Sequence, residues 1–577
     1  MNYNPQNPLI VQGDKTVLLE VDNPHYQPAR DVLARFAELE KSPEYIHTYR
    51  ISPLSLWNAA AAGLSATAIL DGLDRFAKYP VPGNVRVDIA DYISRYGRVK
   101  MVKRDGHLLL VSDDVALITE LARRKEIKKY ILETVDAHTL RVEPAMRGHV
   151  KQALVEVGYP AEDLAGYVEG EALEIALRDV TQAGKFFALR RYQEEAGEVF
   201  YAGGAEHGGS GVIVLPCGAG KTIVGMGVMS QIQSSTLILT PNTFSVRQWI
   251  DELQDKTTLT ADQIGEYTGG RKEIKPVTVA TYQTITYRKR GKKDENGDLR
   301  ESYPHFELFD QRDWGLIIYD EVHLLPAPVF SITAELQARR RLGLTATLVR
   351  EDGREREVFS LIGPKKYDVP WKDLEKQGWI AEADVIEVRI PMDETLRLEY
   401  AVAEQRQKYR IAACNAAKYD ALDQILAKHP DDPTLIIGMY LDQLAHVQAR
   451  YGFPILTGET PERERQKLYQ AFRGGEIQRL IISKVGNFAI DLPDASVMVQ
   501  ISGTFGSRQE EAQRLGRILR PKADGQLAHF YTLVTKDSQD QDFGANRQLF
   551  LTEQGYQYWI VYADEVADFQ PRVAAAV

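Results

Sequence analysis

The hydrophobic pattern changes character along the chain, and that change predicts the architecture. After Phe186, short apolar runs recur, "GVIVLP", "TLILTP", "VTVATY", "LIIYDE" and "RLGLTAT", each followed by a loop and a stretch of helical spacing. Strands buried on both faces read as solid apolar runs, so the pattern predicts a parallel α/β sheet. A second set, "TLIIGMY", "RLIISK", "VMVQIS" and "HFYTLV", predicts a second such sheet. Between the sets, "ETLRLEYAVAEQRQKYRIAACNAAKYDALDQILAKH" reads as long helices.

The front of the chain differs. "SLWNAAAAGLSATAILDGLDRFAKYP" has Ala/Leu-rich helical spacing and stops at "PVPG", so residues 1–97 are expected to be mostly helical. From Arg98, "RVKMVKRDGHLLLV" places Asp105-Gly106 between two β-like runs, a strong hairpin signal. A helix over "DDVALITELARRKEI", a strand at "HTLRV" and a helix over "AMRGHVKQALVEVGYP" complete a small α/β unit. The expected division is 1–97, 98–183, 184–372 and 373–577, with a helical element near 395–428.

With 577 residues the chain is too long for one core, and at ~100–200 residues per domain roughly three to five domains are expected. Its formal charge is -11, so nucleic-acid binding would have to come from local basic surfaces. Two cysteines, Cys217 and Cys414, exclude a disulfide framework or a Cys-rich zinc module. No run of ~18 apolar residues and no signal-like start occurs, and a cytoplasmic protein without membrane contact is the expectation.

"LPCGAGKT", Leu215 to Thr222, lacks the first glycine of the usual phosphate-binding loop. Its context, a strand running into glycines and then a helix, still suits one. Gly218, Ala219 and Gly220 would turn backbone N–H groups toward phosphates, Lys221 would reach the β/γ-phosphates of ATP, and Thr222 would ligate Mg²⁺. At "LIIYDEVH" two acids end an apolar run, where Asp320 would hold Mg²⁺ and Glu321 would orient or deprotonate water. Cys217 would sit beside helix dipoles and a lysine, conditions that favour thiolate.

The "DEVH" form and the motifs around it resemble the superfamily-two helicases, which implies two tandem RecA-like domains behind the small helical and α/β units. Gln193 of "LRRYQ" resembles the adenine-reading Q motif. "TPNTFSVRQW" resembles a motif that lies along nucleic acid, which implies DNA contacts for Thr240, Pro241 and Asn242, with Thr281 beside them. "TAT", with Thr345, Ala346 and Thr347, resembles the motif coupling ATP state to strand binding, and His323 is placed with it. Thr457 and Gly458 of "TGET", and Ser483 at the head of "SKVGNFAIDLP", look like strand contacts of the second domain. In "QRLGRILR", Gln513, Arg517 and Arg520 resemble the catalytic set delivered to ATP across the cleft. The two arginines are three apart and share a helix face.

"LGLTATLVRED", "ISKVG…DLP" and "RQEEAQRLGRILRPK" narrow the resemblance to the XPB family of DNA repair helicases, with Arg350, Glu351 and Asp352 matching its Arg-Glu-Asp motif. The resemblance runs nearly end to end. It places a damage-recognition-like domain at 98–183 and a thumb-like element near 395–428. It implies an ATP- and Mg²⁺-dependent 3′ to 5′ helicase acting on single-stranded, forked or damaged duplex DNA, with a repair nuclease or transcription-repair factors as partners and association with the nucleoid. A duplex translocase without extensive unwinding, an ATP-responsive scaffold and an RNA helicase remain alternatives. Arg191 stands where the family has proline and Asn487 where it has aspartate. The polar segment 287–304 has no counterpart among the motifs and reads either as a solvated loop or as a DNA-contacting one.

Overall fold

The computed structural model of the chain describes residues 3–41, 45–205, 208–216, 218–293, 299–302, 304–336, 339–346, 355–369, 371–379, 381–483, 495–503, 514–515, 527–553, 556 and 558–570. Two seven-stranded sheets dominate it. In the first, the order is Ile264–Tyr267, Val277–Thr281, Thr236–Thr240, Leu316–Asp320, Arg340–Thr345, Ser210–Val214 and Lys365–Asp368, with every pairing parallel. In the second it is Ile455–Leu456, Arg479–Ile482, Thr434–Ile437, Val497–Gln500, Ala528–Thr535, Ala383–Ile390 and Tyr558–Tyr562, again all parallel. Central strands such as Thr236–Thr240 and Val277–Thr281 are buried at every residue, as solid apolar runs require. Parallel order sends all strand C-termini to one edge, where ligands of open α/β sheets bind.

Helices Tyr26–Leu33, Pro53–Ala61, Ala66–Phe76 and Gly83–Arg95 make up most of the regular structure of the amino-terminal unit, as expected, but it is not all helical. It holds an antiparallel four-stranded sheet, Leu9–Val11, Thr16–Glu20, Ile46–Arg50 and Glu38–Lys41 in spatial order, beside the helices Pro53–Ala61, Ala66–Phe76 and Gly83–Arg95. These strands have three to five residues, too few for a periodic signal to compete with the long Ala/Leu stretch behind them. The next unit is a five-stranded sheet with helices Val115–Arg123 and Arg147–Glu156. Its hairpin turns at Asp105-Gly106, both at positive φ, 50° and 79°.

This second unit packs closely on the first large sheet. A Cβ at Gly148 would lie 2.4 Å from the carbonyl oxygen of Ala334, so helix Arg147–Glu156 meets helix Ala327–Glu335 backbone to backbone. Beneath it, Asp163 accepts from Arg147 at 2.7 Å and pairs with Lys151 at 3.1 Å.

Within 287–304, Lys289–Lys293 pairs antiparallel with Leu299–Ser302, so these described parts are strands where a loop was expected. Asn296-Gly297 lies between these strands in the sequence. The expected boundary at 372/373 falls inside helix Trp371–Lys376, whose Trp371 ring lies 6.2 Å from Tyr556. The expected 395–428 element consists of helices Glu394–Val402, Gln405–Ala413 and Ala417–Lys428, and buried Lys418 pairs with Asp540 at 2.6 Å and donates to the Leu533 carbonyl at 2.9 Å, which fastens it to the second sheet. Among the described residues no single helix is long and apolar enough to cross a membrane.

Candidate nucleotide site

Strand Ser210–Val214 leads through Leu215 and Pro216 into the glycine loop and then helix Lys221–Ile232. Leu215 is fully buried and its N–H donates to the Thr345 carbonyl at 2.9 Å, so it ends the buried strand, where a glycine is not needed. Gly218 and Gly220 take φ of 82° and 80°, and Gly220 caps the helix in the left-handed region. That conformation, favouring glycine, turns the loop toward the helix N-terminus, where backbone donors and the dipole suit an anion. Ala219 is buried, Gly218 exposed and Thr222 half-buried. Cys217 lies outside the described residues.

Two strands away, Leu316–Asp320 brings the acid pair to the same edge. Lys221 Nζ donates to Glu321 Oε1 at 2.7 Å, both side chains being largely buried. Glu321 holds φ 50°, ψ 55°, a left-handed conformation uncommon outside glycine. Such strain collects at functional sites. Burial alone would raise its carboxyl, but Lys221 and His323 outweigh that and hold it below the usual value. Burial and the Glu321 charge push Asp320 the other way, up to about 6. The donor set suits a nucleotide phosphate with a divalent ion: an anion cradle, an ammonium already held by a carboxylate, and a second carboxylate beside them.

His323 Nδ1 lies 2.7 Å from Thr345 Oγ1 and 3.4 Å from Glu321 Oε2, tying the acid pair to the end of strand Arg340–Thr345. Ala346 follows, buried. Thr347, Arg350, Glu351, Asp352, Gln513, Arg517, Arg520 and Asn487 lie outside the described residues. From "QRLGRILR" the structure describes Arg514, buried and donating to Gln500, and Leu515.

Gln193 sits beneath the loop. Its Oε1 accepts the Arg190 N–H at 2.9 Å and its Nε2 donates to the Ala219 carbonyl at 3.0 Å, joined there by Tyr192 OH at 2.7 Å. Arg191 is the first residue of helix Arg191–Tyr201, the position where proline is favoured because no intrahelical donor is lost. Arginine fits there equally well and pairs outward with Glu195 at 2.7 Å.

The strand-end threonines have local partners. Asn242 caps helix Thr243–Lys256 by accepting the Ser245 N–H at 2.9 Å, and Thr281 caps the next short helix through Thr284 at 3.2 Å. Thr240 Oγ1 donates to the Asn242 carbonyl at 3.2 Å, and Pro241 between them is half-buried. In the second domain the Thr457 N–H donates to Thr460 Oγ1 at 3.0 Å, Gly458 is exposed, and the Ser483 N–H donates to the Leu456 carbonyl at 2.9 Å. Thr240, Thr281 and Ser483 thus close the C-terminal ends of strands, the first two on the edge that carries the glycine loop.

Two contacts escaped the sequence. Trp249 Nε1 donates to Asp320 Oδ2 at 2.9 Å, and Arg190 stacks 4.2 Å from the Trp379 ring centre, beyond the first sheet. Neither has a local pattern, since both partners are remote in sequence; buried Trp249 on a helix beside the loop was the available hint.

The ERCC3/RAD25/XPB C-terminal helicase model matches residues 374–575, the type III restriction enzyme res subunit model 186–350, and a helicase conserved C-terminal domain model 9–136. A Kineococcus radiotolerans protein named DNA 3'-5' helicase XPB is 55% identical over 97% of both chains. A Mycobacterium tuberculosis protein of the same name is 56% identical over 97% of this chain and 98% of its own. An Antonospora locustae protein named general transcription and DNA repair factor IIH helicase/translocase subunit XPB is 33% identical over 97% of this chain and 82% of its own.

Proposed function

The chain belongs to the XPB family of helicases, and from that premise we propose that it is an ATP-dependent DNA helicase of 3′ to 5′ polarity acting in DNA repair, with its ATPase centre at the C-terminal edge of the first sheet. The observation that carries the reading is the 2.7 Å pair of Lys221 with Glu321, which joins the glycine loop to the acid pair.

When bound, ATP with Mg²⁺ supplies the phosphoryl group and the charge-neutralising cation; Gly218, Ala219, Gly220 and Lys221 would hold the phosphates, and Thr222 and Asp320 the ion. Glu321, kept ionised, can accept a proton from water and orient it. His323 passes a change of charge at Glu321 to Thr345 through one hydrogen bond. Arg517 and Arg520, with Gln513, would add positive charge from the second domain, so that turnover needs both domains closed. Thr240, Pro241, Asn242, Thr281, Thr457, Gly458 and Ser483 would line the strand's path, and Thr347 with Arg350, Glu351 and Asp352 would couple the two events. A repair nuclease or a transcription-repair factor is the partner class this role needs.

Replacing Glu321 by Gln tests the centre: ATP turnover should fall while nucleotide binding persists, and unchanged turnover would refute the assignment. Because the Antonospora relative is named translocase as well as helicase, duplex translocation is the second reading. Displacement of a third strand without unwinding of forked duplexes would favour it.

A further inference from the structure

The indole of Trp249 lies between the two halves of the phosphate site, and the mechanism above leaves it without a role. Trp249 is only 1% exposed, and its single polar atom donates to Asp320 Oδ2 at 2.9 Å. Asp320 Oδ1 accepts the Glu321 N–H at 3.1 Å, so both oxygens have a fixed donor and the carboxylate has a defined orientation.

A second feature points to the same ring. Gly225 stands inside helix Lys221–Ile232, and a Cβ there would come 2.6 Å from Trp249 Cη2. Glycine inside a helix costs about 1 kcal/mol relative to alanine, so room for the indole is kept against helix propensity. The ring therefore touches the helix of the glycine loop while its N–H holds the acid strand.

The helix that carries Trp249, Thr243–Lys256, begins at Asn242. Asn242 and Trp249 are about two turns apart and share a helix face. A shift of the helix's amino end therefore moves the indole, and with it the donor on Asp320.

We propose that Trp249 is a positioning residue: it sets the orientation of Asp320 for the cation and makes that orientation depend on the placement of helix Thr243–Lys256, so that DNA held at the helix's amino end adjusts the metal site. The inference rests on Asp320 as the Mg²⁺ ligand. A tryptophan serving only as packing would influence stability but not the demand for Mg²⁺.

The test titrates Mg²⁺ into full-length protein with fluorescent mant-ADP, comparing wild type, Trp249→Phe and Gly225→Ala, with DNA stimulation of ATPase measured on each. Trp249→Phe keeps an aromatic ring and removes the N–H. Its half-saturating Mg²⁺ should rise about 10-fold, its Mg²⁺-free affinity for mant-ADP should stay unchanged, and its stimulation by DNA should fall. Gly225→Ala leaves the indole N–H in place but displaces the ring, and should shift Mg²⁺ demand in the same direction in a helix that alanine favours. A folded Trp249→Phe protein with wild-type Mg²⁺ demand overturns the proposal; if that variant fails to fold, wild-type demand in Gly225→Ala does so. Raised Mg²⁺ demand with undiminished DNA stimulation overturns the link to the helix. Wild-type nucleotide binding indifferent to Mg²⁺ would instead remove the nucleotide-site reading itself.

Discussion

Glu321 is constrained twice, by a left-handed backbone and by the ammonium of Lys221. The Lys221 pair holds its carboxylate at the glycine loop, and a glutamine there can still accept from Lys221 while losing the charge that takes a proton from water. Glu321→Gln is expected to lower DNA-stimulated ATPase on the order of 10²- to 10⁴-fold while mant-ADP still binds, measured by steady-state hydrolysis and equilibrium fluorescence. Lys221→Ala should lose nucleotide binding as well, because it removes the phosphate donor and leaves Glu321 buried without its counter-charge. These residue types, and their place after a strand, were legible in the sequence. The Gln193 contacts were not: one end of Gln193 caps its helix and the other supports Ala219.

At the scale of elements, solid apolar runs identified the central strands of both sheets because those strands are covered on both faces. Two edge strands escaped, since Lys365–Asp368 is polar and Ile264–Tyr267 contains a glycine, and so did Ala383–Ile390, which carries Glu387 buried against Arg389 at 3.0 Å. The amino-terminal sheet escaped likewise, and it holds a group with a measurable acid response. His47 contacts Tyr26 OH at 3.1 Å, and burial lowers its pKa from 6.5 to about 4. Between these values the unfolded chain binds a proton that the folded one does not. The stability of this unit is therefore full above pH 6.5 and is lost as the pH falls toward 4, by at most ~3 kcal/mol. Hydrogen exchange over residues 3–97 should accelerate from pH 7 to pH 5 after correction for intrinsic rates, and His47→Gln should flatten that dependence. Where helix Arg147–Glu156 meets Ala327–Glu335, Gly148→Val should cost about 1–3 kcal/mol by overpacking, seen as faster exchange in both helices; unchanged protection would contradict the close packing.

At the scale of the molecule, the two parallel sheets supply one half each of the proposed ATPase. The first carries the glycine loop and acid pair, and in the proposal Arg517 and Arg520, which lie in the sequence between strands Val497–Gln500 and Ala528–Thr535 of the second, complete it. Replacing either arginine by alanine should reduce turnover on the order of 10³-fold and leave nucleotide affinity within a few-fold, because the first domain alone makes the phosphate cradle. The proposed motor converts this chemistry into strand separation with one polarity. Unwinding of tailed duplexes by the full chain, with ATPase followed on the same substrates, tests it most directly. ATP turnover should be stimulated by single-stranded DNA and duplexes bearing a 3′ tail should separate, both effects being abolished in Glu321→Gln. Turnover indifferent to DNA, or unwinding only from a 5′ tail, would contradict it.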